Sequence, residues 1–416
     1  MKVKEIVLAA ADRKRGEFLA YSYLLFYYVR PQEYIPGLNK VPLSGVLIML
    51  FTLWGLIHIR GYFFKKPMVF VFLLGVLMMI SGIGVSNVYP MKTGFKYISQ
   101  FFPQCVALYL IYDSSKRVNG LVNWWVLIYV LMSLITFKNG GLGPGDFTKD
   151  PNDAALALSI GLPIVFYSLW QPGIGFWIKI LRIGAMLIVI GGIAVTGSRG
   201  GFLGLVAAGM GIWWLSEKRV RNLLLGICGV IVFSGVLISL LPAGYLDEME
   251  TINDPNDNTR VERLRLWGTA FEMYKDQPII GVGAGQFRFN AGEFQKYTSW
   301  WTGRENNYQG KVVHSFYFQV LSELGTLGSL LFLWAVFYVP LAKFLALKNF
   351  KPVTEEEKYA RKIVHSALAG MAAFIVSAGF ISVAYYPHIP IWITMMTIYW
   401  RNMEQVFLER EQNEKI

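Results

Sequence analysis

Long apolar runs separated by short polar breaks follow one another from near the start of the chain to near its end. A helix crossing a bilayer needs about 20 mostly apolar residues, because hydrocarbon offers nothing to satisfy backbone polar groups except the helix itself. Runs of this kind predict twelve spans, near residues 17–30, 41–59, 67–84, 97–113, 119–137, 153–170, 176–196, 200–216, 221–242, 314–342, 362–386 and 388–405. The first is short, and the fourth contains Pro103. Residues 1–16 read as an amphipathic cytosolic lead-in. "IVLAAA" is too short for the core of a signal peptide, and Asp12, Arg13, Lys14 and Arg15 follow it. The expected class is an all-α polytopic membrane protein.

One interval breaks the rhythm. Residues 243–313 form a polar segment between the ninth and tenth runs, and connections this long are usually functional. Within it, "NTRVERLRLWGTAFEMYKDQP" has helical periodicity, with Leu264, Trp267, Ala270 and Phe271 on one face and Pro278 as the stop. The interval is too short for a separate catalytic domain and suits a helical lid over a cavity.

Composition supports the membrane reading: 54% of residues are hydrophobic and only 16% are charged, against about 25% charged in soluble domains. The formal charge of +12 is mainly a topology signal rather than a nucleic-acid footprint. With a cytosolic N-terminus, most Lys and Arg fall in the cytosolic breaks and few in the short outer ones, so both termini are expected inside and the 243–313 segment outside. Cys105 and Cys228 both lie in apolar runs, which argues against a disulfide framework and a metal site. HExxH, CxxC and Walker A patterns do not occur. "GVGAGQF" (residues 281–287) has the glycines of a dinucleotide loop without the strand–helix context such a loop needs. "DPND" appears at 150–153 and 254–257 and reads as turn and helix-start chemistry, with a shared metal site as the alternative.

The candidate chemistry gathers on the expected outer face. "TGSRGGFLGL" places Ser198 and Arg199 in a tight turn, followed by glycines and a helix start, a setting that favours an anion. The polar interval adds Arg260, Arg263, Arg265, Arg288 and Arg304. Arginine's planar fork matches phosphate oxygens and keeps its charge when desolvated. On one helix, Arg260 and Arg263 share a side and Arg265 lies about 160° from Arg263. His314, one of only four histidines, opens the tenth run in "KVVHSFYFQVLSELGTLG". Glu323 lies nearly opposite it by helical spacing, so it is not an orienting partner. Gly325 and Gly328 suggest close helix packing. His58 and His365 are expected at lipid headgroups, and His388, in "YYPHIP", within reach of the outer cavity.

In this order, "GSRGGFLGL", "RLRLWGTAFEMYKDQPIIGVGAGQF" and "HSFYFQVLSELGTLG" resemble the O-antigen ligase and polymerase superfamily of bacterial membrane glycosyltransferases. The likeness is nearest to O-antigen ligases and the O-glycosylation ligase group, on "RP" and "DPNDAALALS". The resemblance implies a GT-C-like helical fold in the cytoplasmic (inner) membrane. It also implies transfer of a glycan from undecaprenyl diphosphate to an acceptor hydroxyl, such as a lipid A–core sugar, at the periplasmic face. A polymerase or a protein O-glycosylation ligase would use the same donor. The family pattern, with arginine four residues before tryptophan, selects Arg263. His314 is then the expected general base and Arg199 and Arg263 the diphosphate ligands. Arg265, Arg288, Arg260, Ser198 and His388 are further candidate substrate contacts. The scheme is inverting and calls for no metal or cofactor; the partners are the lipid-linked donor, the acceptor and membrane lipids, with no nucleic acid. A lipid-linked glycan transporter and a non-catalytic scaffold are the readings from other classes.

Overall fold

The computed structural model describes residues 2–59, 66–145, 147–221 and 258–413, with residues 223, 224, 226, 227 and 235. Most of the expected ninth span, Cys228, and residues 243–257 with the second "DPND" lie outside the described residues. Among the described residues the regular structure is helical and no strand forms.

The bundle comprises α1 (Lys2–Tyr28), α2 (Leu43–His58), α3 (Lys66–Ser81), α4 (Tyr89–Lys96), α5 (Phe102–Ile111), α6 (Ser115–Lys138), α7 (Pro151–Ser168), α8 (Phe176–Val195) and α9 (Arg199–Trp214). Beyond them come α10 (Asn258–Asp276) and α11 (Phe287–Phe294) of the polar interval, then α12 (Phe316–Phe332), α13 (Val339–Ala346), α14 (Glu355–Ser377) and α15 (His388–Asn413). Ser115–Lys138, Phe176–Val195, Phe316–Asn349 and Glu355–Phe380 are long and apolar enough to cross a membrane, and Leu43–His58 and Met68–Ser81 are shorter apolar helices. Phe176, Trp177 and Leu181 of α8 are each at least 70% exposed, as lipid-facing side chains would be. The chain is a membrane protein.

Three expectations shift. The lead-in and first run are one helix, α1, rather than two units. The fourth run is reached through a π-helical stretch, Tyr97–Phe101, where Pro103 lacks the N–H a continuous α-helix would use. The tenth run is broken at Gly325, whose φ of 61° and ψ of −156° lie outside any helix.

The centre is built by α7, α9 and α14, which pack on one another. Small residues let their backbones approach: a Cβ at Gly204 would lie 1.9 Å from Ser377 Oγ, and one at Gly370 would lie 2.6 Å from the Ile160 carbonyl oxygen. α14 runs antiparallel to α7 and α9, so the first turns of α7 and α9 meet the last turn of α14 at one end; Ser377 Oγ donates to the Gly200 carbonyl at 3.1 Å. At the opposite end, buried Arg182 of α8 donates to the Ser168 carbonyl, to Asn123 Oδ1 at 2.7 Å and to Gln171 Oε1 at 2.8 Å. A buried cation is tolerable only with such partners.

Candidate functional site

The site is assembled at the end where α7 and α9 begin. Asp150 caps α7, its carboxylate accepting from Asn152 N–H at 2.8 Å. Ser198 caps α9, its hydroxyl oxygen accepting from Gly201 N–H at 2.9 Å. The same hydroxyl donates to Asn152 Oδ1 at 2.6 Å and fastens the two helix starts together. Ser198 therefore sits buried as a cap and a clasp.

Arg199 is the first residue of α9, half-buried beside Gly200. Phe380, just past α14, closes on both the turn and the lid. A Cβ at Gly200 would stand 3.4 Å from Phe380, and the Arg263 guanidinium lies 5.9 Å from the centre of the same ring. Arg263 belongs to α10, so one aromatic ring separates the lid from the α9 turn.

His314 occupies the joint between the lid and α12. Its φ of 51° is one of two positive values among non-glycine residues of the described chain, in a region where histidine is tolerated better than most side chains. Val313 and Ser315 on either side are buried, and the Ser315 carbonyl accepts from Gln319 N–H at 2.9 Å to start α12. Burial, and then the Arg263 charge, hold the imidazole below its ordinary range, while Asp150 and Glu262 pull the other way. At neutral pH such a ring is uncharged and able to accept a proton. The α10 cation and the α7 cap are thus within electrostatic reach of one histidine.

The lid has its own small core: Leu266, Ala270 and Met273 of α10 pack on Phe287 and Ala291 of α11, with Tyr308 and Val313. This corrects the expected apolar face. Leu264 and Phe271 are 52% and 44% exposed, because α10 buries its other side against α11, the 308–313 return and α12. Trp267 connects the two layers, stacked on Phe318 of α12 with ring centres 5.2 Å apart.

The other candidates spread out. Arg265 lies over Trp300 at 5.2 Å, on the opposite side of α10 from Arg263, as helical geometry requires. Arg260 and Arg304 are exposed. Arg288, also exposed, stacks on Phe289 at 4.8 Å and Tyr89 at 5.9 Å. His388 is buried in an aromatic cage, its ring 5.3 Å from Phe147 and 5.8 Å from Tyr28. His58 Nε2 lies 2.9 Å from the Asp12 carboxylate, and His365 is buried beside Tyr167.

Several residues at this end were not singled out from sequence. Asp153 of α7 is buried, its Oδ2 accepting from Tyr386 Oη at 3.1 Å while Oδ1 has no hydrogen-bond partner. Arg30, φ 53°, pairs with Glu33 at 2.8 Å and packs on Gly145. Glu323, set aside as lying opposite His314, anchors the loop 281–287. Its Oε1 accepts from Phe287 N–H at 3.0 Å, and its backbone oxygen from Gly283 N–H at 3.1 Å. Gly281, Gly283 and Gly285 all have positive φ, so the glycines of "GVGAGQF" shape a clasp around a carboxylate. Among the described residues no group of three His, Cys, Asp or Glu side chains is placed to hold a metal ion.

Residues 184–333 match the O-antigen ligase family. That stretch runs from α8 through α9, the described lid and α12, and it contains Arg199, Arg263 and His314. The matched segment belongs to the O-antigen ligase superfamily. No curated protein matches the chain. The matched segment thus holds Arg199, Arg263 and His314 together, and it supports an O-antigen ligase- or polymerase-type function.

Proposed function

We propose that the protein transfers a glycan from undecaprenyl diphosphate to an acceptor hydroxyl, with His314 as general base and Arg199 and Arg263 holding the diphosphate. The observation that carries this reading is the meeting of Arg263, Phe380 and the α9 turn beside a half-buried, neutral-leaning His314. The diphosphate is already a good leaving group, so two tasks remain: removing the proton of the incoming hydroxyl and neutralising charge on the departing oxygens. An uncharged imidazole suits the first. Two arginine forks and the amino-terminal end of α9 suit the second. Attack opposite the leaving group inverts the anomeric carbon, and no step calls for a metal.

In this reading the chain crosses the bacterial inner membrane twelve times in a GT-C-like bundle with both termini cytosolic. The lid then lies on the periplasmic side. The unequal distribution of Lys and Arg and the antiparallel order of α6 to α9 support that placement. The acceptor we favour is a lipid A–core sugar.

The test is transfer by purified protein from an undecaprenyl-diphosphate glycan in the presence of EDTA, with lipid A–core and the lipid-linked glycan offered separately. Product on lipid A–core that is lost in His314→Ala supports a metal-independent ligase. Lengthened lipid-linked glycan makes the enzyme a polymerase. Movement of the lipid across vesicles by wild type and His314→Ala alike, without product, replaces catalysis by transport.

A further inference from the structure

The bundle end remote from His314 carries a second concentration of positive charge. The last turns of α7 and α9 and the first turns of α14 enclose a cavity of about 240 Å³ there. With a rise of 1.5 Å per residue, these helices put it roughly 24–35 Å from the Gly200–Ser377 contact, which is the thickness of a hydrocarbon core. The two places therefore face opposite membrane surfaces.

Lys218, Arg221, Lys358, Arg361 and Lys362 line the cavity, with Glu217 as the acidic side chain among the lining residues. Of the acids in the first turn of α14, Glu355 pairs with the lining Lys358 at 2.7 Å, and buried Glu357 pairs with Arg410 at 3.2 Å, which leaves Lys218, Arg221, Arg361 and Lys362 as the main cations of the cavity. Arg361 donates one N–H to the Phe350 carbonyl at 3.2 Å, and its Nε is buried without a hydrogen-bond partner. A guanidinium held this way has a donor still to satisfy, and an anion satisfies it.

Much of the rest of the lining is apolar, with Tyr167, Ser216 and His365 as further polar members. Phe166, Trp170 and Ile212 form one side, and Lys362 Nζ lies 5.4 Å from the centre of the Trp170 ring. Trp170 and Trp214 are 42% and 54% exposed, at the depth where tryptophan marks the membrane–water boundary. Cations beside an open aromatic flank suit a phosphate that carries hydrocarbon, since a free phosphate would leave that flank unused.

We infer that this cavity holds the phosphate headgroup of an anionic phospholipid, at the membrane face opposite the transfer site. The cations contact the phosphate oxygens, and the acyl chains leave past Trp170 and Trp214 into the bilayer. The site is independent of the transfer reaction and of its assignment.

The test is native mass spectrometry of the full chain with phosphatidylglycerol and phosphatidylcholine of matched acyl chains, with and without millimolar inorganic phosphate. The expected result is a preference of about tenfold or more for phosphatidylglycerol, given about 1 kcal/mol for each basic residue near an anionic surface. Phosphate leaves that preference unchanged. Arg361→Gln with Lys362→Gln removes it, and so does Lys218→Gln with Arg221→Gln, a pair of exposed residues beyond the end of α9 and tolerable to folding. Equal retention of both lipids by wild type, or an undiminished preference in both double variants, overturns the site. Displacement of the lipid by phosphate overturns the lipid assignment in favour of a soluble anion.

Discussion

At the scale of single residues, the site rests on a histidine whose surroundings oppose its charging. Burial and Arg263 lower its proton affinity, so His314 stays uncharged to more acidic pH than the ordinary imidazole value of about 6.5. The acid limb of kcat/KM for transfer is expected below that value. In Arg263→Gln one cause of the depression is gone, and the limb moves towards higher pH while kcat/KM falls roughly 10–100-fold with loss of the proposed diphosphate contact. A pH profile of both proteins checks the sign. A limb that does not move separates Arg263 from His314. His314→Ala is expected to cost about 10²–10⁴-fold in kcat, the usual weight of a general base. Arg265→Gln removes only a cation–π contact with Trp300, of about 0.5–1 kcal/mol, and should leave the donor KM within a few-fold of wild type. The 160° separation of Arg263 and Arg265 was legible in the sequence because helical spacing is local information. The Asp153–Tyr386 bond was not, since its partners are more than two hundred residues apart.

At the scale of elements, the clasp between the lid and α12 decides how firmly the histidine is held. The chain from Pro278 to Gly283 runs alongside residues 322–327. The Pro278 carbonyl accepts from Thr326 N–H at 2.8 Å, and the Ile279 carbonyl from Leu327 N–H at 3.1 Å. Gly325 makes room: a Cβ there would lie 2.6 Å from the Ile279 carbonyl group, in a backbone conformation that disfavours side chains. The sequence suggested helix–helix packing for this glycine, because a small residue three from another looks the same whether its neighbour is a helix or a loop. Gly325→Ala is expected to cost about 3 kcal/mol, from strain of order 1–3 kcal/mol together with the clash. Protease sensitivity should rise in the lid before the bundle melts. Gly184→Ala in α8, where a Cβ would meet nothing within 4 Å, is the milder control.

At the scale of the molecule, the order of helices and their antiparallel packing were legible, because hydrophobic length and loop polarity are properties of the chain itself. The face by which α10 buries was not: Leu264 and Phe271 looked inward until α11 and Tyr308 supplied another surface. The lid packs on α12 as well as on itself, and Trp267 on Phe318 is a large part of that attachment. Trp267→Ala removes that stacking, and losing so large an aromatic contact typically costs 3–5 kcal/mol where the ring is fully buried. For this partly buried ring the expected result is earlier loss of lid protection in hydrogen exchange, with the α7–α9–α14 protection unchanged.

The interlock of residues 278–283 with 322–327 also bears on how the protein tolerates a cut. The lid tip, Thr302 to Arg304, is exposed, and Glu305 ties it by accepting from Thr302 N–H at 2.9 Å. Exposed tips are where chains accept nicks. On the amino-terminal side of a nick, the fragment is held by α10, α11 and the pairing with α12; on the carboxy-terminal side, His314 stays attached to α12 itself. The gene could therefore be split at this tip and its halves expressed as two polypeptides that find each other in the membrane. Co-purification of residues 1–303 with residues 304–416 would show that continuity of the chain here is dispensable. It would also let each half be labelled separately.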